Sequence, residues 1–373
     1  MIMTTAAETF TPGEFLKEEI EARGWTQTEL AEIMGRPARL INEIIAGKRA
    51  ITPETAIQLG EALGTGPEIW MNLESQYQLS KVVLPNDRVA RRANLYGHFP
   101  VREMIRRGWI EASDNIDVLE QQFLKFFSIT SLGDVPSFAH AAKRSIAHKE
   151  VTSAQLAWLF RAKALATEQV LTKYRKDDLV EALPKIHALL TAPEEVRRVA
   201  PILYGCGVRF LLVESLPGSK IDGACFWLSK TQPVIVMSLR LDRIDNFWFV
   251  LRHEIEHVLH EHGRDDGFIL DEDIQAPSAE KLSLEEQMAN QAAADFCVPQ
   301  GELDNFISRV KPYFSEDRVR QFAKRLGVHP GLVIGQLQRK LDRYDLLRKF
   351  QVKIRNLAIK SAPTDGWGLF EHM

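Results

Sequence analysis

Apolar positions recur every three to four residues along most of the chain, the spacing that gathers them on one face of a helix. Leu30, Ile33 and Met34 form one such stripe, Leu40, Ile41, Ile44 and Ile45 a second, and Ala56, Leu59, Ala62 and Leu63 a third. The breaks between them are sharp. Thr26 followed by Glu29 is a capping box, Gly35 ends the first helix, Pro37 suits the first turn of the next, and Gly47 closes it. Residues 10–80 therefore read as a bundle of short helices. Residues 81–195 continue the helical period without a chemical signature, and their role is open. The strong strand signals lie within 203–310. They are Val208–Glu214, Ala224–Ser229 and Val234–Ser238, with Lys230-Thr231-Gln232-Pro233 a turn that joins the last two as a hairpin. Residues 244–262 form a long helical pattern, with Ile244, Phe247, Trp248, Leu251, Ile255, Val258 and Leu259 on one face. Residues 284–298 form another. A helical extension covers 311–360, and Ser361–Met373 reads as an irregular tail. The fold class expected is mainly α with a small α+β module, in the order helical bundle 10–80, helical middle region 81–195, α+β domain 196–310 and extension 311–360.

Composition narrows the class. A chain of 373 residues suggests two or three domains, and 45% apolar with 26% charged residues is globular rather than disordered. A net charge of −3 excludes a wholly basic coat but leaves room for a local basic patch. No apolar run is long enough for a membrane helix, and Met1–Thr11 lacks the basic and apolar regions of a secretory signal. Cys206, Cys225 and Cys297 are odd in number and contain no CxxC pair, so they read as buried small hydrophobes of a reduced, cytoplasmic protein.

The second helix of the N-terminal bundle is locally basic, with Arg36, Arg39, Lys48 and Arg49 against Glu43. Two short helices joined by a tight turn, the second basic, have helix-turn-helix geometry. Arg39 and Asn42 point away from the apolar stripe, as base-reading side chains must. Gln27 at a helix start, Lys48 and Arg49 suit phosphate contacts. Gly24-Trp25-Thr26-Gln27-x-x-Leu30-Ala31, the run Ile41 to Pro53 and the run Gly64 to Leu73 together resemble the Xre/lambda-repressor-like family, and within it the HigA-type antitoxins. The resemblance covers about a fifth of the chain. It implies a lambda-repressor-like bundle that binds double-stranded operator DNA as a homodimer, with Arg36 a further DNA contact and a toxin a further candidate partner. Arg36 and Pro37 stand where that family commonly has Val and Ser, which leaves the base preference open. The competing reading is an ordinary bundle with a solvated basic face.

Inside the 244–262 helix sits His253-Glu254-Ile255-Glu256-His257, an HExxH pattern. Four residues are about one turn, so both imidazoles leave the same side and can share one Zn²⁺. They lie roughly opposite the Leu251/Ile255 stripe. Glu254 sits beside them, where a carboxylate can take a proton from water. Zinc needs a third protein ligand. His260 is on the same face but about 10 Å along the helix at 1.5 Å per residue, too far for bonds of about 2 Å. His260 and His262 therefore read as surface or supporting groups, and a ligand should come from the 284–298 helix, where Glu286, Asn290, Ala293 and Cys297 make one stripe. Glu285 is an equally acidic neighbour, and periodicity does not choose between them.

His253-Glu254-x-x-His257 with Glu286-x-x-Ala289-Asn290-x-x-Ala293-Ala294-Asp295-x-x-x-Pro299 resembles the ImmA/IrrE metallopeptidases over roughly 195–310. That resemblance implies a zincin-like domain with His253, His257 and Glu286 as zinc ligands, Glu254 as general base, and a repressor or antitoxin-type protein as substrate. Ala292 replaces the usual Phe, and Phe296-Cys297-Val298 the usual Leu-Leu-Met, which puts substrate fit in question rather than metal binding. The later run Phe322 to Ile334 resembles a second helix-turn-helix without a basic face, with His329 a helix-start surface residue rather than a ligand. The basic aromatic stretch from Arg88 to Trp109 reads as solvated helices before an extended DNA surface. Three functions remain in play: a DNA-binding regulator with a zinc endopeptidase domain, an antitoxin-like regulator whose metal domain senses metal or ligand and cuts nothing, and a stand-alone peptidase with a vestigial helix-turn-helix that shows no salt-dependent DNA binding.

Overall fold

A computed structural model describes residues 10–81, 87–132, 134, 151–265, 268–272 and 283–367. The chain divides into two compact units at Val89/Ala90.

The first unit contains α1 (Pro12–Ala22), α2 (Gln27–Ile33), α3 (Ala38–Ile45), α4 (Pro53–Leu63) and α5 (Pro67–Lys81). Thr11 and Thr26 close reciprocal capping boxes with Glu14 and Glu29, and Thr52 caps α4. Leu16, Leu30, Ile41, Leu59 and Trp70 fill the core. Pro37 proves to be the N-cap of α3 rather than a residue of its first turn. At Gly13 a β-carbon would lie 2.4 Å from the Ile44 carbonyl oxygen, so α1 lies against α3 only because that side chain is missing.

The second unit is built on a mixed sheet. It contains β1 (Arg209–Val213), β2 (Ile221–Trp227), β3 (Pro233–Met237), β4 (Phe268–Glu272) and β5 (Thr364–Asp365), in the order β4-β2-β3-β1-β5. The expected hairpin of β2 and β3 is present and antiparallel, while β1 runs parallel to β3 and β5. Both faces are covered, which explains the nearly continuous apolar strands. Leu211, Val213, Ala224, Phe226, Val234 and Val236 face one core with α8 (Ile116–Phe127) and α9 (Ser153–Glu168), including Phe123, Phe127 and Trp158. Phe210, Leu212, Cys225, Ile235 and Met237 face the other, with α12 (Ile244–Leu259) at its centre. Between α9 and α12 come α10 (Lys176–His187) and α11 (Val199–Gly205), and α6 (Arg88–His98) and α7 (Val101–Arg106) precede α8. After β4 follow α13 (Leu284–Cys297), α14 (Gln300–Val310), α15 (Glu316–Leu326), α16 (Pro330–Leu341) and α17 (Arg355–Ala358).

Three expectations are corrected. Ser361–Met373 is not wholly irregular, because Thr364 and Asp365 pair with Leu212 and Val213. Strand β4 was not expected at all. Strand β2 begins three residues earlier than expected, at Ile221, because Asp222 and Gly223 break the apolar run in sequence but not in space. Helices α6 to α9 of the middle region form one layer over the sheet, while α10 packs into the core on its other face. Three arginines of this region tie elements together: Arg91 pairs with Asp117 and Glu120, Arg92 bonds the carbonyls of Ser113 and Asp114, and Arg107 those of Glu214 and Ser215.

Candidate metal centre and helix-turn-helix face

Helix α12 is enclosed on nearly all sides, between the sheet, α13 and α16. Its imidazoles are therefore fully buried rather than set on a solvated polar face. His253 and His257 point their Nε2 atoms at each other across 3.0 Å. Glu286, in the first turn of α13 and placed there by the Ser283 cap, brings Oε2 to 3.3 Å from His253 Nε2 and Oε1 to 3.5 Å from His257 Nε2. A fourth group joins them. Asp271 of β4 puts Oδ2 3.1 Å from His253 Nε2. The four donor atoms lie within 4.8 Å of one another. A tetrahedral ion with bonds of about 2.0–2.1 Å spaces its ligand atoms ~3.3 Å apart. The observed 3.0–3.5 Å separations match that figure.

The electrostatics call for a cation at the same point. Burial alone would lower the His253 pKa, but the carboxylates of Asp271 and Glu286 outweigh it and push it up to about 10. Burial would likewise raise Asp271, yet His253 holds it below the usual carboxylate range. Burial and then Asp271 push Glu286 up to about 7, and burial pushes His257 down to about 3. A proton on His253 stands where a metal ion would put its charge. His257 turns its other nitrogen, Nδ1, to His262 Nδ1 at 2.9 Å, an outer contact of the kind that orients a ligating imidazole. His260 sits outside, paired with Glu256 at 3.0 Å.

Glu254 is fully buried beside the cluster, and neither carboxylate oxygen forms a hydrogen bond among the described residues. Burial pushes its pKa well above the usual range, and the Asp271 charge adds to this. It fits because β2 carries glycine opposite it. A β-carbon at Gly223 would lie 2.2 Å from Glu254 Oε1. The structure thus brings His253, Glu254, His257 and Glu286 together. It leaves Glu285 largely exposed, 3.9 Å from His262 Nε2. Sequence reasoning missed Asp271 and Gly223. The signal for Asp271 was a short apolar run, Phe268-Ile269-Leu270, ending in acid between the two helices.

In the first unit, Arg39 and Asn42 project from α3 into solvent, and Lys48 and Arg49 lie exposed just beyond it. Glu43 accepts from Arg39 Nε at 2.6 Å and from Arg49 at 3.2 Å, so both guanidiniums converge on one carboxylate. Gln27 opens α2, half-buried. Arg36 is engaged elsewhere, pairing with Glu54 and donating to Gln58 at 2.9 Å.

Residues 16–70 match the helix-turn-helix family, and residues 209–335 match the IrrE N-terminal-like domain of peptidase family M78. The transcriptional regulator YddM of Escherichia coli K12, described as uncharacterized, is 30% identical over 70 residues, 19% of this chain and 74% of that one. The chain belongs to the helix-turn-helix regulators. Antitoxin HigA-1 of Vibrio cholerae is 40% identical over 68 residues, 18% of this regulator and 64% of the antitoxin. The solved Pseudomonas aeruginosa antitoxin HigA with higBA promoter is 32% identical, covers 20% of this chain and 82% of that one, and has a TM-score of 0.20. The regulator adds an IrrE-like domain at its C-terminal side. Among the described residues no helix is long and apolar enough to cross a membrane.

Proposed function

We propose that this protein is a DNA-binding transcriptional regulator with a zinc-dependent endopeptidase domain that cleaves a repressor or antitoxin-type protein. The observation that carries the enzymatic half is the buried cluster of His253, His257 and Glu286 donors beside the unpartnered carboxylate of Glu254. Bound there, Zn²⁺ would polarise the carbonyl of the scissile peptide bond as a Lewis acid. His253, His257 and Glu286 would hold it, and His262 would fix the His257 ring. Glu254 would accept a proton from the attacking water at one carboxylate oxygen and pass it to the leaving amine. A cation bound beside Glu254 would lower the pKa that burial raises.

For the DNA half, Arg39 and Asn42 would meet base edges, while Gln27, Lys48, Arg49 and Arg36 would meet phosphates of an operator read by a homodimer. Arg36 would first have to leave Glu54. A toxin partner, suggested by the antitoxin relatives, belongs to the same reading.

A second reading, a metal- or ligand-sensing regulator without cleavage, is favoured by one observation. Asp271 gives the cluster four protein donors, and catalytic zinc sites keep one position open. Glu254→Gln separates the two. In the peptidase reading the variant keeps about one zinc per chain by elemental analysis while cleavage of a co-expressed repressor falls about 10²–10⁴-fold. Unchanged regulation in that variant would favour the sensor.

A further inference from the structure

We propose that Asp271 is a fourth metal ligand that closes the centre in the resting protein, so that cleavage requires this carboxylate to leave. The inference rests on the metal reading above and adds the regulation of that site.

Position argues for it first. A carboxylate that merely supports a ligating histidine bonds the ring nitrogen turned away from the metal. Asp271 does not. Its Oδ2 lies 3.1 Å from His253 Nε2, the nitrogen that also faces His257 Nε2 at 3.0 Å and Glu286 Oε2 at 3.3 Å. The outward nitrogen, His253 Nδ1, has no hydrogen-bond partner among the described residues. Asp271 is thus on the ion's side of the ring.

The sheet explains how it gets there. In the antiparallel ladder Asp271 pairs with Gly223, and paired residues point to the same face. Next to it, Leu270 pairs with Ala224, and both enter the core with α8 and α9 on the opposite face. The register shifts between Ile221 and Gly223. A bulge of this kind re-aims side chains. One residue of slip would turn Asp271 away from α12. Burial is consistent, since Asp271 is only 5% exposed.

Two imidazole nitrogens and two carboxylate groups within 4.8 Å of one another would leave a four-coordinate ion no open position for an entering group. Four-donor closure is the mark of a structural site, whereas Glu254, which ligates nothing, is the mark of a hydrolytic one. Both marks coexist if Asp271 is a releasable ligand. Strand β4 lies at the edge of the sheet, paired with β2 alone among the described strands. Its departure therefore breaks one ladder rather than two.

The test uses the full-length protein loaded with Co²⁺, read by its visible absorption and titrated with azide as a small entering ligand. Wild type should give a spectrum that azide leaves unchanged. Asp271→Asn and Asp271→Ala should bind Co²⁺ at least about tenfold more weakly, and azide should shift their spectra with saturation. Wild type responding to azide as readily as the variants, with equal Co²⁺ affinity, overturns the closure while leaving the metal centre standing. Failure of wild type to bind Co²⁺ at all, under conditions where its circular dichroism is that of a folded chain, removes the metal reading itself. Should both variants misfold, the wild-type azide titration decides alone: a shifted spectrum rejects closure.

Discussion

Gly223 shows how one absent side chain sets the chemistry of its neighbour. A β-carbon there would meet Glu254 Oε1 at 2.2 Å and Val250 Cγ1 at 2.9 Å. Gly223→Ala should therefore displace the Glu254 carboxylate and destabilise the protein by about 1–3 kcal/mol, the usual range for overpacking a filled core. The two positions should also be coupled. In a Glu254→Ala background the same substitution should cost less, with the difference read from urea denaturation as a double-mutant cycle. Additive losses would mean that Val250, not Glu254, is the neighbour that matters. At this scale the sequence was legible where chemistry is local. His253, Glu254 and His257 lie within one turn and announce themselves. Glu286 and Glu285 were indistinguishable by periodicity, and the Ser283 cap with the packing of α13 separates them in space. Asp271 and Gly223 were illegible because a ladder register joins them, and register is a property of two strands.

Elements whose ends are fixed locally could be read with their boundaries. The α2 capping box and the αL glycine Gly35 are examples. His329 is a subtler end. It caps α16, its Nδ1 accepting from the Gly331 N–H at 3.0 Å, and it is half-buried rather than a plain surface group. His329→Ala should cost about 1 kcal/mol at pH 7. Burial lowers the folded-state pKa of this ring. An unfolded histidine titrates near 6.5, so below about pH 6.5 the unfolded chain takes up a proton that the folded chain does not. The stability this difference supplies is present above that pH and is lost as pH falls. His329→Asn, which caps without titrating, should keep neutral-pH stability and flatten the decline between pH 7 and 5 in urea melts. An unchanged slope would assign the acid sensitivity to the other buried histidines. Strand β5 is the opposite case, an end fixed from afar. Asp365 is 2% exposed, accepts from Trp109 Nε1 at 3.0 Å and pairs with Arg161. These partners lie 256 and 204 residues away, so no local pattern could reveal the strand. Asp365→Ala strands both donors and should cost about 3 kcal/mol, by analogy with breaking a buried pair. Thermal unfolding would show it.

For the molecule as a whole, the charge of −3 hides two opposite sites. Exposed cations gather around α3, and carboxylates gather around two imidazoles at α12. Among the described residues, the core of the first unit shares no residue with either core of the second. A ligand shifts an equilibrium only through contacts that differ between its states. The donor residues belong to the second unit and the residues proposed to meet DNA to the first. The peptidase reading, in which the metal serves cleavage alone, predicts that operator affinity of the intact protein is the same, within about twofold, with zinc bound and after chelation. The sensor reading requires a coupling of the order of 1–3 kcal/mol, or about 5–150-fold. Fluorescence anisotropy on one labelled operator, at one fixed salt concentration, decides between them. The same titration repeated over a range of salt calibrates the DNA face, since Lys48→Ala should reduce the salt slope by about one if that side chain meets a phosphate. A zinc-dependent affinity that persists in Glu254→Gln would identify the metal centre as a switch for DNA binding. A zinc-independent affinity, together with loss of cleavage in that variant, would mean that the protein controls transcription by destroying another protein rather than by changing its own grip on DNA.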